Sequence, residues 1–362
     1  LTSNSINYIF AENFSVMFKI FKPLLFRFSP ETAHKIVKRL LFILRFIPFS
    51  DKILKLFFSY KNSYLEREIF GIKFPNPIGL AAGFDKNGDM YNDLANFGFG
   101  FVEIGSLTPL EQLGNPKPRC FRLVKDSAII NRMGINNKGV KYAVKNLKKR
   151  RPKVIIGGNI SKSTACSNEN APLDYEKSFA QLYDFVDYFV VNVSCPNVKG
   201  LTKLQDITSL SEIVDRLITL RKYMDEYRPI LLKVSPDLTY EQLDEIIELI
   251  LVSGLDGIVA TNTTTKRDGL ITDQAIVETI GDGGMSGAPL FERSLDTVSY
   301  INKKTSGQLP IIAVGGVMSP IHAEKMLNAG ASLVQIYTAF IYEGPSIVSK
   351  INRYLSKQYK NA

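Results

Sequence analysis

Eight short apolar runs, each ending in polar residues, constrain the fold of this chain more than any other feature. They are Pro77–Ala82, Phe101–Gly105, Val154–Asn159, Tyr188–Val193, Ile230–Val234, Gly257–Thr261, Ile311–Val314 and Leu333–Tyr337. Helical patterns such as Leu210–Tyr227, Tyr240–Ser253 and Pro320–Ala329 lie between them. Runs that are apolar on both faces and alternate with helices predict a parallel sheet covered by helices, and eight strands close a barrel. The competing open, doubly wound sheet usually carries a glycine-rich loop between a strand and a helix. Here Gly98 and Gly100 precede a strand instead of following one, and there is no Walker loop. The expected fold class is α/β, a (β/α)8 TIM barrel preceded by an N-terminal amphipathic helical extension.

In such a barrel the residues that follow the strands meet at one mouth. They read Ala82-Gly83-Phe84-Asp85-Lys86, Gly105-Ser106, Gly158-Asn159, Asn192-Val193-Ser194-Cys195-Pro196-Asn197, Lys233, Thr261-Asn262-Thr263, Gly315-Gly316 and Tyr337-Thr338. One Asn or Thr at such a place marks only a turn; the same chemistry after every strand marks a site. Gly315-Gly316 leads into Ser319-Pro320 and a helix, which sets backbone N–H groups where barrels hold phosphate. Gly283-Gly284-Met285-Ser286-Gly287 is a second glycine-rich loop, and with Tyr337-Thr338 the two point to a phosphorylated cofactor. Lys233 closes the apolar run Ile230-Leu231-Leu232, with no acidic neighbour in sequence. A buried ammonium needs an anion. An isolated cysteine is most often a small buried hydrophobe. Cys195, in a polar loop between two asparagines, reads better as a proton acceptor or nucleophile.

The formal charge of +10 is concentrated near the N-terminus. Between Met17 and Tyr60 nine basic residues face two acidic ones, Glu31 and Asp51. The main body lacks the basic surface and reading motifs of a nucleic-acid binder. This segment reads as two amphipathic helices, the first opened by Ser29-Pro30-Glu31 and the second following Pro48. Its apolar face is broad and carries Phe18, Phe21, Phe26, Phe28, Phe42, Phe46 and Phe49. No run reaches the roughly 18 apolar residues of a membrane span. A hairpin that merely caps the barrel is one reading; a helix pair lying in an anionic membrane surface satisfies both the apolar face and the cations. Met17 reads as the natural start and residues 1–16 as a non-native or disordered leader without a secretory signal. The expected organisation is the extension over 17–62 and the catalytic barrel over 63–362. Two His and three Cys without a CxxC pair argue against metal chemistry and disulfides, and for a reducing compartment.

The motifs GLAAGFDKNG, EIGSLTP, NPKPRCFRL, INRMGINN, VNVSCPN, ATNTT, GGMSG, AVGGV and LVQIYT stand in one order along the chain. In that order the chain resembles the dihydroorotate dehydrogenases, flavin enzymes of pyrimidine synthesis, from about Phe28 to Ser349. The resemblance implies FMN across the barrel mouth, with Ala82, Gly83, Phe84, Asp85, Lys86, Ser106, Asn159, Asn192, Lys233, Thr261, Gly287, Gly316, Tyr337 and Thr338 at its binding positions. It implies dihydroorotate and orotate at Lys86, Asn131, Arg132, Met133, Gly134, Ile135, Asn192, Asn197, Asn262 and Thr263, with Cys195 as the base. The N-terminal extension is similar to that of the membrane-associated quinone form, in which it makes a tunnel; His34 and Arg122 match the quinone side. That form implies a peripheral protein on the cytoplasmic face of the inner membrane, if bacterial. One position departs: the quinone form usually carries Ser as base, whereas Cys195 is the residue of soluble forms, which use fumarate or NAD. The soluble form is therefore the alternative. A membrane-binding scaffold without flavin, and a flavin enzyme acting on a dihydropyrimidine or dihydrouridine, are more distant ones. Lys86 and the asparagines favour a substrate with a carboxylate.

Overall fold

The computed structural model describes residues 18–195 and 207–361. The expected leader and Asn197 lie outside the described residues. Residues 18–26 are helical (α1), followed by α2 (Pro30–Leu44) and α3 (Ser50–Phe58). The strands are β1 (Arg67–Ile69), β2 (Ile72–Phe74), β3 (Ile78–Asp85), β4 (Phe101–Leu107), β5 (Cys120–Leu123), β6 (Ala128–Asn131), β7 (Ile155–Ile160), β8 (Tyr188–Asn192), β9 (Ile230–Val234), β10 (Gly257–Ala260), β11 (Gly284–Gly287), β12 (Ile311–Val314) and β13 (Leu333–Ile336).

Eight of them close a barrel in the order β10-β12-β13-β3-β4-β7-β8-β9, and every neighbouring pair is parallel. This is the expected TIM barrel. Each strand matches one of the apolar runs, because burial on both faces leaves little room for polar side chains. The two-residue period of a strand sorts them. Ile230, Leu232 and Val234 pack outward with the helices, while Leu231 belongs to the interior layer of Phe101, Tyr188, Val190, Val259 and Ile312. The same parity turns Lys233 inward, two residues nearer the mouth. Gly79 has no alternative there, since a Cβ would stand 2.3 Å from the Phe101 ring. The β1–β2 hairpin inserts Phe74 below that layer, its ring 5.3 Å from that of Phe101.

Three elements differ from the sequence reading. The extension holds three helical segments instead of two, since Ser29, as N-cap of α2, ends what precedes it. The helix expected over 210–227 runs Ile207–Arg221 and gives way to turns six residues early. Gly284–Gly287, read as a loop, is a strand that pairs with β6, itself paired with β5, in a small antiparallel sheet. Glycine permits that close approach, and the pairing joins segments about 150 residues apart, beyond the reach of local patterning.

Helix α2 is tied to the barrel by charge. Arg45 Nε donates to Asp93 Oδ1 at 3.0 Å, Lys38 meets Asp89 at 2.5 Å, and Arg119 meets Glu31 at 3.0 Å. Asp93 also receives Arg150 at 3.3 Å, and its side chain is 7% exposed. Asp93→Ala should therefore lower stability by about 2–3 kcal/mol, the scale of charge-assisted bonds lost from a nearly buried carboxylate. Urea unfolding of the two proteins measures this difference.

Candidate active site

The polar strand ends form one hydrogen-bonded series across the barrel mouth. Asn262 Nδ2 donates to Asn192 Oδ1 at 3.2 Å and to Ser194 Oγ at 2.9 Å. Asn192 Nδ2 donates to Ser106 Oγ at 2.8 Å, and Ser106 Oγ donates to Asn159 Oδ1. Asn159 Nδ2 then donates to Glu103 Oε1 at 2.7 Å, and Gln335 Nε2 donates to Glu103 Oε2 at 2.6 Å. Five barrel strands or their ends thus contribute to one polar layer above the apolar floor. Lys233 lies beside Asn192 in register and is 6% exposed. Its ammonium makes no hydrogen bond or ion pair among the described residues. Cys195, half-buried, follows Ser194 in the same loop.

The far side of the mouth is built from glycine and helix starts. Gly316 has φ +72°, and a Cβ on it would lie 2.3 Å from the Phe291 backbone nitrogen, so only glycine allows this approach. The N–H groups of Gly316 and Val317 have no acceptor among the described residues. The expected helix follows, with Ser319 as its N-cap and Pro320 in its first turn. Thr261 Oγ1 and Ser294 Oγ lie 2.9 Å apart, and so do Ser286 Oγ and Thr338 Oγ1, which joins β11 to the residue after Tyr337. Free N–H groups suit a phosphate, and a nearly buried, unpaired ammonium suits an anionic ring. These residues fit a phosphorylated flavin.

Other residues of the sequence reading are held differently. The Asp85 carboxylate accepts from the N–H groups of Asp89 and Met90, at 3.0 and 2.8 Å, and burial beside Asp89 raises its pKa. Lys86 Nζ donates to Gly83 O, and burial lowers the ammonium's pKa. Arg132 donates to Ile280 O and Asp282 O, while Asn131 Nδ2 donates to Gly284 O at 3.2 Å. Both clamp β6 to the segment around β11. Gly134 and Ile135 take positive φ, with their carbonyls bound by Gln112 Nε2, and Met133 O accepts from Asn115 N. Thr263 N donates to Asn262 Oδ1 at 2.9 Å. Ala82 and Gly83 lie near the end of β3, and Gly287 completes β11.

A second group of side chains, mostly aromatic, links the mouth to the helices. His34 meets Phe84 edge-on at 5.0 Å, and Phe84 in turn meets Tyr337 at 5.8 Å. The Arg122 guanidinium lies over the Phe26 ring at 4.4 Å and donates to Phe28 O at 2.8 Å. Burial pushes the Cys120 thiol up to about 11. Burial, with the Lys86 and Lys38 ammoniums, pushes His34 down to about 3.

The sequence profile described as dihydroorotate dehydrogenase matches residues 64–358. The chain belongs to the dihydroorotate dehydrogenase family. It is 47% identical over 334 residues to a protein of Christiangramia forsetii named dihydroorotate dehydrogenase (quinone), covering 92% of this chain and 97% of that one. A Coxiella burnetii protein of the same name is 42% identical over 353 residues, covering 94% and 97%. A ligand-free dihydroorotate dehydrogenase structure from Eimeria tenella aligns with TM-score 0.83 and 35% identity, covering 92% of this chain and 96% of that one. The same enzyme in complex with ferulenol aligns with TM-score 0.80 over 90% of each chain. The family implies a flavin. Among the described residues no cluster of three His, Cys, Asp or Glu side chains could hold a metal ion.

Sequence reasoning missed Glu103 and Gln335, although each is a polar residue inside an apolar strand, which was the available signal. The closeness of Cys120, Glu31 and Arg119 to Lys86 was not readable, because tertiary packing alone brings them there.

The His34 shift fixes a pH dependence. Folded His34 stays neutral to about pH 3, whereas in the unfolded chain it protonates near 6.5. Below pH 6.5 the unfolded state therefore binds the extra proton, and stability falls as pH drops toward 3. His34→Phe should remove up to about 1.4 kcal/mol of that loss per pH unit. Urea unfolding at pH 7, 5.5 and 4.5 tests this; parallel curves for the two proteins would refute it.

Proposed function

We propose that this protein oxidises dihydroorotate to orotate and passes the electrons to a membrane quinone. The observation that carries the reading is the direct contact between two unlike compartments. The polar mouth ends at Phe84 and Tyr337, and behind these rings lies His34 of α2. The chemistry supplied by FMN at the mouth would be the redox step, hydride acceptance and onward electron transfer, while this chain's residues bind and orient. Gly316, Thr338 and their neighbours would bind its phosphate, and Lys233 would stabilise negative charge on its ring. Lys86 would hold the substrate carboxylate, and Asn131, Asn192, Asn197 and Asn262 its amide edge. The run Arg132 to Ile135, with Thr263, would shape the substrate pocket. Cys195 would take the carbon-5 proton as a thiolate. His34, neutral because of burial and the nearby Lys86 and Lys38, and the protonated Cys120 would add no charge of their own along the quinone path, and Arg122 would mark its edge.

Residues 17–62 form the extension in this reading, and 63–362 the catalytic barrel. Leu40, Phe42, Ile43, Phe46, Ile47, Phe49, Ile53 and Leu56 are all exposed on the helix pair. Eight exposed large apolar side chains on and between these helices suit a bilayer interface with anionic lipid. No described helix is long and apolar enough to cross a membrane.

Comparing long-chain quinone, fumarate and NAD as acceptors for dihydroorotate oxidation tests the proposal, and quinone should be preferred. Replacing Phe42, Phe46 and Phe49 together by Ser should cut turnover of vesicle-borne quinone at least about tenfold while leaving dihydroorotate-driven flavin reduction intact. Preference for fumarate would move the protein to the soluble form.

Cys195→Ala should retain flavin and slow its reduction by roughly 10²–10⁴-fold, the usual effect of losing a general base. Stopped-flow absorbance gives the rate; near-normal reduction dismisses the role.

A further inference from the structure

Glu103 is a buried carboxylate with no counter-charge. It is fully enclosed in β4, one layer above Phe101, and its bonding partners are the amides of Asn159 and Gln335. It takes part in none of the ion pairs among the described residues. An apolar side chain of similar volume is usually the more stable choice at such a place. Packing does not account for Glu103.

The direction of the hydrogen bonds does. Both oxygens of Glu103 accept here, whereas an amide can be turned over with almost no change in shape. Facing Glu103, Asn159 must present its NH2 group, which leaves its Oδ1 for Ser106. Ser106 gives its single proton to Asn159 and so receives Asn192 Nδ2 as an acceptor. Asn192 Oδ1 is then left to accept from Asn262. Every bond from Asn262 inward points toward Glu103, and bonds aligned in one direction reinforce each other.

We propose that Glu103 is a positioning residue that sets the donor–acceptor polarity of the mouth. With the chain oriented this way, the second N–H of Asn192, one of the proposed substrate residues, remains as a donor for a carbonyl oxygen of an imide-like ring. The inference rests on the reading of this mouth as the dihydroorotate site.

Three variants of the FMN-loaded full chain test it, with orotate affinity from equilibrium titration and thermal stability as readouts. Glu103→Met removes the acceptor at similar volume. It should keep or raise the melting temperature while weakening orotate binding on the order of 10- to 100-fold. Gln335→Met leaves the carboxylate facing Asn159 and should bind orotate within about threefold of the parent. The exchange Glu103→Gln with Gln335→Glu lets the amide introduced in β4 accept from Asn159 while donating to the carboxylate introduced in β13, and it should recover most of the affinity. Orotate binding by Glu103→Met within twofold of the parent, or equal losses in Glu103→Met and Gln335→Met, would overturn the proposal. If Glu103→Met does not fold, the exchange decides: a tenfold loss at unchanged melting temperature overturns it. A parent chain that binds no orotate fails the underlying reading, a result separate from parent-like variants.

Discussion

The pairing of β13 with β3 is the contact on which the rest of the structure depends. It places Val334 opposite Ile78 and Ile336 opposite Leu80, joining the last barrel strand to the first. Without it the eight strands would be an open sheet, and their C-terminal ends would lie along an edge instead of around a mouth. With it, Gln335 on the last strand reaches Glu103 on the second, 232 residues away in sequence. Closure also fixes which face of each strand is interior. The period-two pattern that buries Leu231 therefore delivers Lys233 to the mouth.

The barrel was legible because its signal is local. Each apolar run is a strand, and strands buried on both faces are apolar without a break. The strand-end residues were legible for the same reason, since topology alone brings such ends together. What could not be read depends on distant partners. Gly284–Gly287 becomes a strand only because β6 lies beside it. The ties from Arg45 to Asp93 and from Arg119 to Glu31 require the helix pair to have docked. The interiors of β4 and β13 are the instructive case. Glu103 and Gln335 stand in view in the sequence, yet each alone looks like a fault in a strand. As partners they complete the polar layer.

The two compartments are controlled by opposite electrostatics. At the mouth, the polar layer is joined within itself, while Lys233 makes a nearly buried cation available to an anion. Around Phe84, burial keeps three titratable groups uncharged amid charged neighbours: His34 is lowered and Cys120 and Tyr337 are raised, so all three are neutral near pH 7. The edge-on contacts of His34 with Phe84 and of Phe84 with Tyr337 join the two regions.

The straps on helix α2 have a mechanical consequence. Arg45 and Lys38 hold the segment from Asp89 to Asp93, and the N–H groups of Asp89 and Met90 are held in turn by Asp85, the neighbour of Lys86. The outward side of the same helix carries Leu40, Phe42 and Ile43. Helix and segment are linked, by ion pairs and then by hydrogen bonds, from the exposed apolar side of α2 to the residue beside Lys86. A shift of α2 relative to the barrel would therefore strain Asp85 and Lys86 before it reached any other strand end.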